Sequence, residues 1–417
     1  MADKTTRVSV AGMANTGPAP KGSSRHRVLI AGGGVAALEA MLALHELAGP
    51  IVDVELIAPE PHFWYRPLAV AEPFGLGSVH RLELAQLCEQ AGADFSLGTL
   101  VDVDHARRRV QTHHGELAYD SLLVAIGAVG TEAIPGAFTF RGPADSHAYQ
   151  HLLTELDQGA VRQLVFALPG GQSWPLPLYE LALLTAAFVN ARQISGVTLS
   201  VVTPEDPPLA LFGPAAAAAL VEQLEAHDVA LTTAIYPGAF VDGKLEVMPS
   251  GELAADRVVT LPRLVGPGIE GLPQDPAGFI PTDKHGRVTG VDVFAAGDAT
   301  TFPIKQGGLA AQQAVAAAQS IAAEAGADVT PEPFRAVLRG LLLTGGLPKF
   351  MRSNLADWGS DAFLLDSDPL WWPPAKLACR YLSPFLAQHA DYKALSGPPP
   401  TGISVEIDLG ARIGEFS

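Results

Sequence analysis

The chain has 417 residues, 48% of them apolar, which suits about three compact units with large buried cores and no need of disulfide cross-links. A formal net charge of −17 excludes a protein built to wrap nucleic acid, whose phosphates would be repelled on average. Only two cysteines occur, Cys88 and Cys379, without CxxC or CxxxxC spacing, and no HExxH or mixed Cys/His cluster is present, so sequence-local dithiol chemistry and a dedicated metal site are not expected.

Residues 1–25, with Asn15, Gly17, Pro18 and Pro20, have the composition of a flexible leader. Val8 to Ala14 is short and weak beside a secretory apolar core, and no run approaches the ~18 residues of a spanning helix, so a cytoplasmic protein is expected. Val28 to Ala31 then predicts a buried parallel strand that turns at Gly32 and enters an Ala/Leu-rich helix. The spacing Gly32-x-Gly34-x-x-Ala37 suits a dinucleotide. Gly32 frees the turn, Gly34 removes the side chain that would block phosphate oxygens, and Ala37 lets helix and strand pack closely. The anion lies on the helix N-terminus, which makes Gly32, Gly33, Gly34, Val35 and Ala36 candidate cofactor contacts.

The second strand, Val52 to Ile57, ends near Ala58, where folds of this kind place the acid that grips the adenosine ribose; Glu60 is the nearest substitute. An aromatic and proline-rich loop from Phe63 to Leu68 follows. Arg66 is a candidate anchor for the cofactor phosphate or an acidic substrate, with Pro67 beside it, and a salt bridge within the loop is the alternative for Arg66. Cys88, next to Leu84 and Leu87 in a helical pattern, reads as a small core residue. Asp120 to Gly127 supplies a strand and a glycine turn, with Ala125 and Gly127 as further cofactor contacts.

The next unit looks like a degenerate repeat of the first, because Leu164 to Gly171 again runs from a strand into a glycine turn and a helix follows from Tyr179. Between them stand Trp174, Pro175 and Pro177, where a second glycine motif would need bare backbone. The strand Val197 to Thr203 ends without an acid, although Glu205 is close, so strong NAD(P)H binding is not expected of this unit. Gly171-Gln172-Ser173-Trp174-Pro175 lacks the final glycine of a hydrolase nucleophile elbow.

After Arg257 to Arg263 the chain returns to the first unit. Thr289-x-x-x-x-Phe294-Ala295-x-Gly297-Asp298 resembles the second FAD fingerprint of flavoproteins with two dinucleotide-binding domains, in which the Asp after Gly holds the ribityl chain. Gly297 and Asp298 take those places, a helix cap being the structural alternative for Asp298. The two glycine segments together point to FAD. A long Ala/Gln helix is predicted from about Gly308 to Ala325. The C-terminal piece has Trp371-Trp372-Pro373-Pro374 and an amphipathic stretch with Leu377, Tyr381 and Phe385 on one stripe, suited either to the protein's own core or to a membrane surface. Pro384 interrupts that helix, and the tail is expected to be loose. The fold expected is therefore α/β, with two Rossmann-like dinucleotide-binding domains and a small C-terminal region. Residues 26–140 and 265–330 form a discontinuous FAD domain, 141–264 the degenerate NAD(P)-binding-like domain, 331–390 the C-terminal region and 391–417 the tail.

More particular are Gly297-Asp298 followed by Pro303-Ile304-Lys305-Gln306-Gly307-Gly308, and Pro177-Leu178-Tyr179-Glu180. Over residues 26–390 the chain resembles the sulfide:quinone oxidoreductase and type II NADH:quinone oxidoreductase branch of the pyridine-nucleotide–disulfide reductase superfamily. The resemblance implies FAD, a small-molecule electron donor, and an acceptor such as a quinone. It places Lys305 beside the flavin pyrimidine ring, where its charge and the adjoining helix dipole stabilise the reduced flavin. Glu180 is then a candidate proton carrier, against a solvated or capping role. Relatives carry a redox cysteine where this chain has Trp174, and a second near the equivalent of Gly340-Leu341, where this chain has none. A persulfide relay therefore has no thiolate to run on. Trp174 is left to wall the flavin, stack on an aromatic substrate, or fill the core. Three functions stay open: an FAD oxidoreductase with an unassigned donor, an NAD(P)H-dependent quinone or ferredoxin-type reductase, and a flavin-binding protein without turnover. Nucleic acid is excluded as a partner, while a homodimer and peripheral contact with the inner membrane face are left open.

Overall fold

A computed structural model describes residues 25–171, 174–249, 251–354, 363–371 and 375–388. The expected leader up to residue 24, Ser173, Trp372 to Pro374 and the tail lie outside the described residues.

Residues His26–Ala31 form the middle of a five-stranded parallel sheet ordered Phe294–Ala295, Ser121–Val124, His26–Ala31, Val52–Ala58 and Asp94–Leu97. Being interior, this strand is apolar on both faces. Val28 and Ile30 join one core, and Leu29 and Ala31 join the other. On the first face lie the helices Val35–Ala48 and Gly307–Glu324, whose alanines pack against one another: Ala36, Ala40 and Ala43 on one, Ala310, Ala314 and Ala317 on the other. On the second face lies an antiparallel meander, Leu100–Asp104, Arg109–Thr112 and Gly115–Ala118, which contributes Leu100, Val103 and Val110.

The second unit repeats this plan. Its parallel sheet is ordered Phe138–Thr139, Arg257–Thr260, Gln163–Ala167, Thr198–Val202 and Val229–Thr232. Leu164 and Phe166 face the core with helices Ser146–Asp157, Leu176–Ala191 and Gly213–Ala226, while Val165 and Ala167 face a second meander, Tyr236–Val241, Lys244–Met248 and Gly251–Ala254. Val129–Thr131 pairs antiparallel with Arg263–Val265, so the chain leaves and re-enters the first unit along one two-stranded ribbon. The edge strand Phe138–Thr139 already belongs to the second sheet.

The C-terminal region is an antiparallel sheet, Val337–Leu342, Lys349–Asn354 and Phe363–Asp366, whose Leu338, Leu342 and Met351 enter the core of the second unit. Trp371 packs edge-on against Phe350 at 4.9 Å and donates from Nε1 to the Ala375 carbonyl at 2.8 Å. The expected amphipathic helix is shorter than its stripe suggests, because only Leu382–Leu386 is helical. Pro384 is tolerated in the first turn there, but within a longer helix starting at Leu377 it would break a backbone bond. Leu377 is buried in the core of the first unit, and Tyr381 and Phe385 pack half-buried against it. Among the described residues no helix is long and apolar enough to cross a membrane, and no cluster of His, Cys, Asp and Glu could hold a metal.

Candidate functional site

The turn after the first strand is built by contacts that only glycine permits. Gly32 has φ +131°, and a Cβ there would lie 2.2 Å from the Ala125 carbonyl oxygen; one on Gly33 would meet Leu84 Cδ1 at 2.8 Å. Gly34 differs, since a Cβ on it would meet nothing within 4 Å. That open space faces the start of the Val35–Ala48 helix, which no side chain caps and whose first turn holds no acid. Its first amides, those of Val35, Ala36 and Ala37, have no carbonyl of their own helix to bond, so the end attracts an anion. Gly127, at φ +77°, also borders open space, so the residues present fit the pyrophosphate of FAD.

The second glycine segment meets the first through small residues. Gly297 has φ +79°, and a Cβ on it would press Ala36 Cβ at 3.2 Å and Ala310 Cβ at 3.3 Å, which brings Gly297 and Asp298 beside the starts of both long helices. The Gly297 amide donates to Gln313 Oε1 at 2.7 Å, and Gln306 caps the Gly307–Glu324 helix through Leu309 N at 2.9 Å. Burial pushes Asp298 up to about 6, with the charge of Lys305 opposing. Lys305 is itself buried. Its ammonium donates to the Thr300 carbonyl and lies 3.8 Å from the centre of the Phe279 ring. Burial lowers its pKa to about 8 against the pull of Asp298 and Asp275.

The residues expected near the adenosine end lie at the surface. Glu60 is exposed and accepts from Trp64 Nε1 at 3.0 Å; Arg81 stacks on that indole at 5.6 Å. Arg66 is exposed, and Pro67 is half-buried. Neither of the latter is drawn toward Gly34 by any contact among the described residues. A cleft of about 330 Å³ lies between the ends of the strands Val52–Ala58 and Asp94–Leu97 and the meander, lined by Ile57, Ser96, Leu97, Gly98, Thr112 and His114. Parallel sheets bind ligands at the carboxyl ends of their strands.

In the second unit Trp174 is half-buried and meets Phe212 edge-on at 5.8 Å. A Cβ on Gly340 would lie 2.5 Å from Phe212 Cζ, so Trp174 and Gly340 border the same aromatic ring, and a side chain at Gly340 would require that ring to move. Glu180 is fully buried, with Lys376 Nζ 2.5 Å away and the Leu343 amide donating at 2.9 Å. Burial raises the Glu180 carboxyl, and the Lys376 charge opposes this. A solvated Glu180 is thereby ruled out. Lys376 was not a sequence candidate, and neither was Glu39, whose buried carboxylate accepts from the amides of Arg380, Tyr381 and Leu382 at 2.8, 3.1 and 2.6 Å. Through these contacts the segment 375–382 crosses the starts of two helices, with Leu377 Cδ1 3.0 Å from a Cβ on Gly307.

Both cysteines are buried. Burial pushes the Cys88 thiol up to about 11, and Cys379 is raised further by burial and by Glu39, so at neutral pH each is a protonated thiol and not a nucleophile.

Residues 26–167 match the pyridine nucleotide-disulphide oxidoreductase family. No curated protein sequence matches the chain. Among solved structures the chain is similar to the sulfide:quinone oxidoreductase of the hyperthermophilic bacterium Aquifex aeolicus, with a TM-score of 0.75 and 20% identity over 82% of this chain and 86% of that one. It is also similar to a ferredoxin reductase of Rhodopseudomonas palustris, with a TM-score of 0.62 and 17% identity over 80% and 83%. The NADH complex of NDH2 from Plasmodium falciparum gives a TM-score of 0.56 and 17% identity over 66% and 65%. At these identities the likeness is one of fold.

Proposed function

We infer that this FAD-dependent oxidoreductase, of the pyridine nucleotide-disulphide oxidoreductase family over residues 26–167, passes two electrons from a small-molecule donor to an acceptor such as a quinone. The observation that carries the reading is the uncapped helix start behind the open space at Gly34, with Gly297 packed against Ala36 and Asp298 next in the chain. When bound, FAD supplies a two-electron carrier that one small molecule reduces and another reoxidises.

The chain's own residues supply binding and charge. The Val35 and Ala36 amides would hold the pyrophosphate, and Asp298, ionised above about pH 6, would accept from the ribityl hydroxyls. Lys305, cationic below about pH 8, would balance negative charge gained at the pyrimidine edge on reduction. The buried Glu180–Lys376 pair would hold a proton away from bulk water. Trp174 stands where the resemblance places a redox thiol, and both cysteines of the chain are buried, so the donor would deliver electrons without a covalent sulfur intermediate on this chain. The stripe through Leu377 packs inward, which favours an acceptor arriving from solution over one drawn from a membrane by that stripe.

The test is a spectrum of the purified protein, followed by anaerobic mixing with sulfide, a quinol and NADH, and reoxidation by a quinone. A flavin spectrum, with bleaching by one donor and recovery on addition of quinone, supports the reading. Folded protein that is colourless and refuses added FAD overturns it, and bound flavin that no donor bleaches indicates a binding protein without turnover.

A further inference from the structure

We propose that Tyr179 closes the second unit to nicotinamide dinucleotides, so that the electron donor is a small molecule without a nucleotide. This rests on the FAD oxidoreductase reading above and names its donor class. A dinucleotide on a parallel sheet takes two anchors: bare amides at the helix start for the pyrophosphate, and a carboxylate just past the second strand for the adenosine ribose. In the second unit these would come from the helix Leu176–Ala191 and from Glu205, past the strand Thr198–Val202.

Both are already engaged. The Tyr179 hydroxyl donates to Glu205 Oε2 at 2.5 Å and lies 3.2 Å from Thr203 Oγ1, which in turn accepts from the Glu205 amide at 3.1 Å. Tyr179 and Thr203 are fully buried, so one oxygen of the half-buried Glu205 carboxylate is held on the helix by an internal donor. Burial raises the Glu205 carboxyl while the Tyr179 hydroxyl and the Leu209 amide oppose this, as expected of an acid held by internal donors. At the other anchor, Pro177 has no N–H and the Leu178 amide bonds the Pro175 carbonyl at 3.0 Å, which removes two amides from the first turn. The Val35–Ala48 helix of the first unit has neither feature. Tyr236, an exposed ring, also lies 3.5 Å from where a Cβ on Gly170 would be, over the glycine turn itself. A ribose hydroxyl would have to share a half-buried carboxylate whose Oε2 already holds a charge-assisted bond from Tyr179.

The experiment uses the full-length, flavin-loaded protein. NADH and NADPH are titrated anaerobically to about 1 mM, following nicotinamide fluorescence and flavin absorbance, with dithionite as the control that the flavin is reducible. The expected result is no binding and no bleaching by either nucleotide, and full bleaching by dithionite. The double variant Tyr179→Phe/Pro177→Ala, which frees Glu205 and restores an amide, is expected to gain at least about tenfold in NADH affinity and so bind within that range. Tyr179→Phe alone serves if the double variant does not retain flavin. Wild-type protein that binds or is bleached by NADH overturns the proposal, as does a flavin-loaded variant that still binds none. Wild-type protein without flavin defeats the oxidoreductase reading instead, so the two failures are told apart.

Discussion

Lys376 Nζ lies 2.5 Å from Glu180 Oε2, an ion pair that water hardly reaches and that ties the C-terminal segment to a helix of the second unit. Removing one partner of a buried pair leaves an uncompensated charge and costs about 3–5 kcal/mol. Lys376→Met is therefore expected to destabilise by about that much near neutral pH. In the variant only the Leu343 amide still opposes burial, so the folded-state pKa of Glu180 rises further. A raised carboxyl keeps its stability below the ordinary carboxylate range and loses it as pH climbs through the folded value. Urea melts should thus show a smaller loss at about pH 5 than at about pH 8, and Glu180→Leu/Lys376→Met should recover much of it. An equal loss at both pH values would contradict this.

Gly32 and Gly34 should respond differently to alanine although one residue separates them. At Gly32 the φ of +131° and the 2.2 Å approach to Ala125 predict a loss of at least about 1–3 kcal/mol in the apo protein. At Gly34, where φ is −96° and the space is open, apo stability should stay within about 0.5 kcal/mol while FAD affinity falls at least about tenfold. Thermal melts of stripped protein and flavin titration check both, and unchanged affinity in Gly34→Ala would move the pyrophosphate elsewhere.

Asp298 and Lys305 shape the pH profile of the flavin-free protein. Asp298, raised to about 6, binds a proton in the folded state that the unfolded chain has already released, so stability falls as pH rises from about 4 to about 6. Lys305, lowered to about 8, has the reverse effect, and stability recovers as pH rises from about 8 towards its ordinary range. Asp298→Asn should flatten the acid-side slope and weaken flavin binding. A variant with the wild-type slope would assign that titration to another group.

Glu39 pins the C-terminal segment by accepting three backbone amides. Glu39→Ala leaves them unpaired under cover and should cost about 1–3 kcal/mol, with Glu39→Gln losing less because an acceptor oxygen remains. Trypsin should then cut faster at the exposed Arg380 in the alanine variant. Equal cleavage rates in the variant and the wild type would show the segment to be held by its apolar packing alone.

The local parts of the site were legible because their signals are short-range. A strand, a turn that tolerates only glycine and an alanine-rich helix follow one another in sequence between Val28 and Leu44, and the structure keeps that order. The helix expected from Gly308 is observed as Gly307–Glu324. Leu377, Tyr381 and Phe385 were legible as a stripe but not as to what they cover. Three apolar residues at helical spacing say that something is buried, and Pro384 then limits the helix to five residues.

By itself the sequence determined the repeating strand–turn–helix plan, the glycine spacing of the candidate cofactor site, and the lack of CxxC spacing, all set by nearest neighbours and composition. Only the tertiary structure decided what the charged side chains do. Glu39 meets Arg380, Glu180 meets Lys376 and Tyr179 meets Glu205 because folding removes water from those groups, and each must then find its partner wherever the chain returns to it. That distance along the chain leaves no periodicity or motif to read.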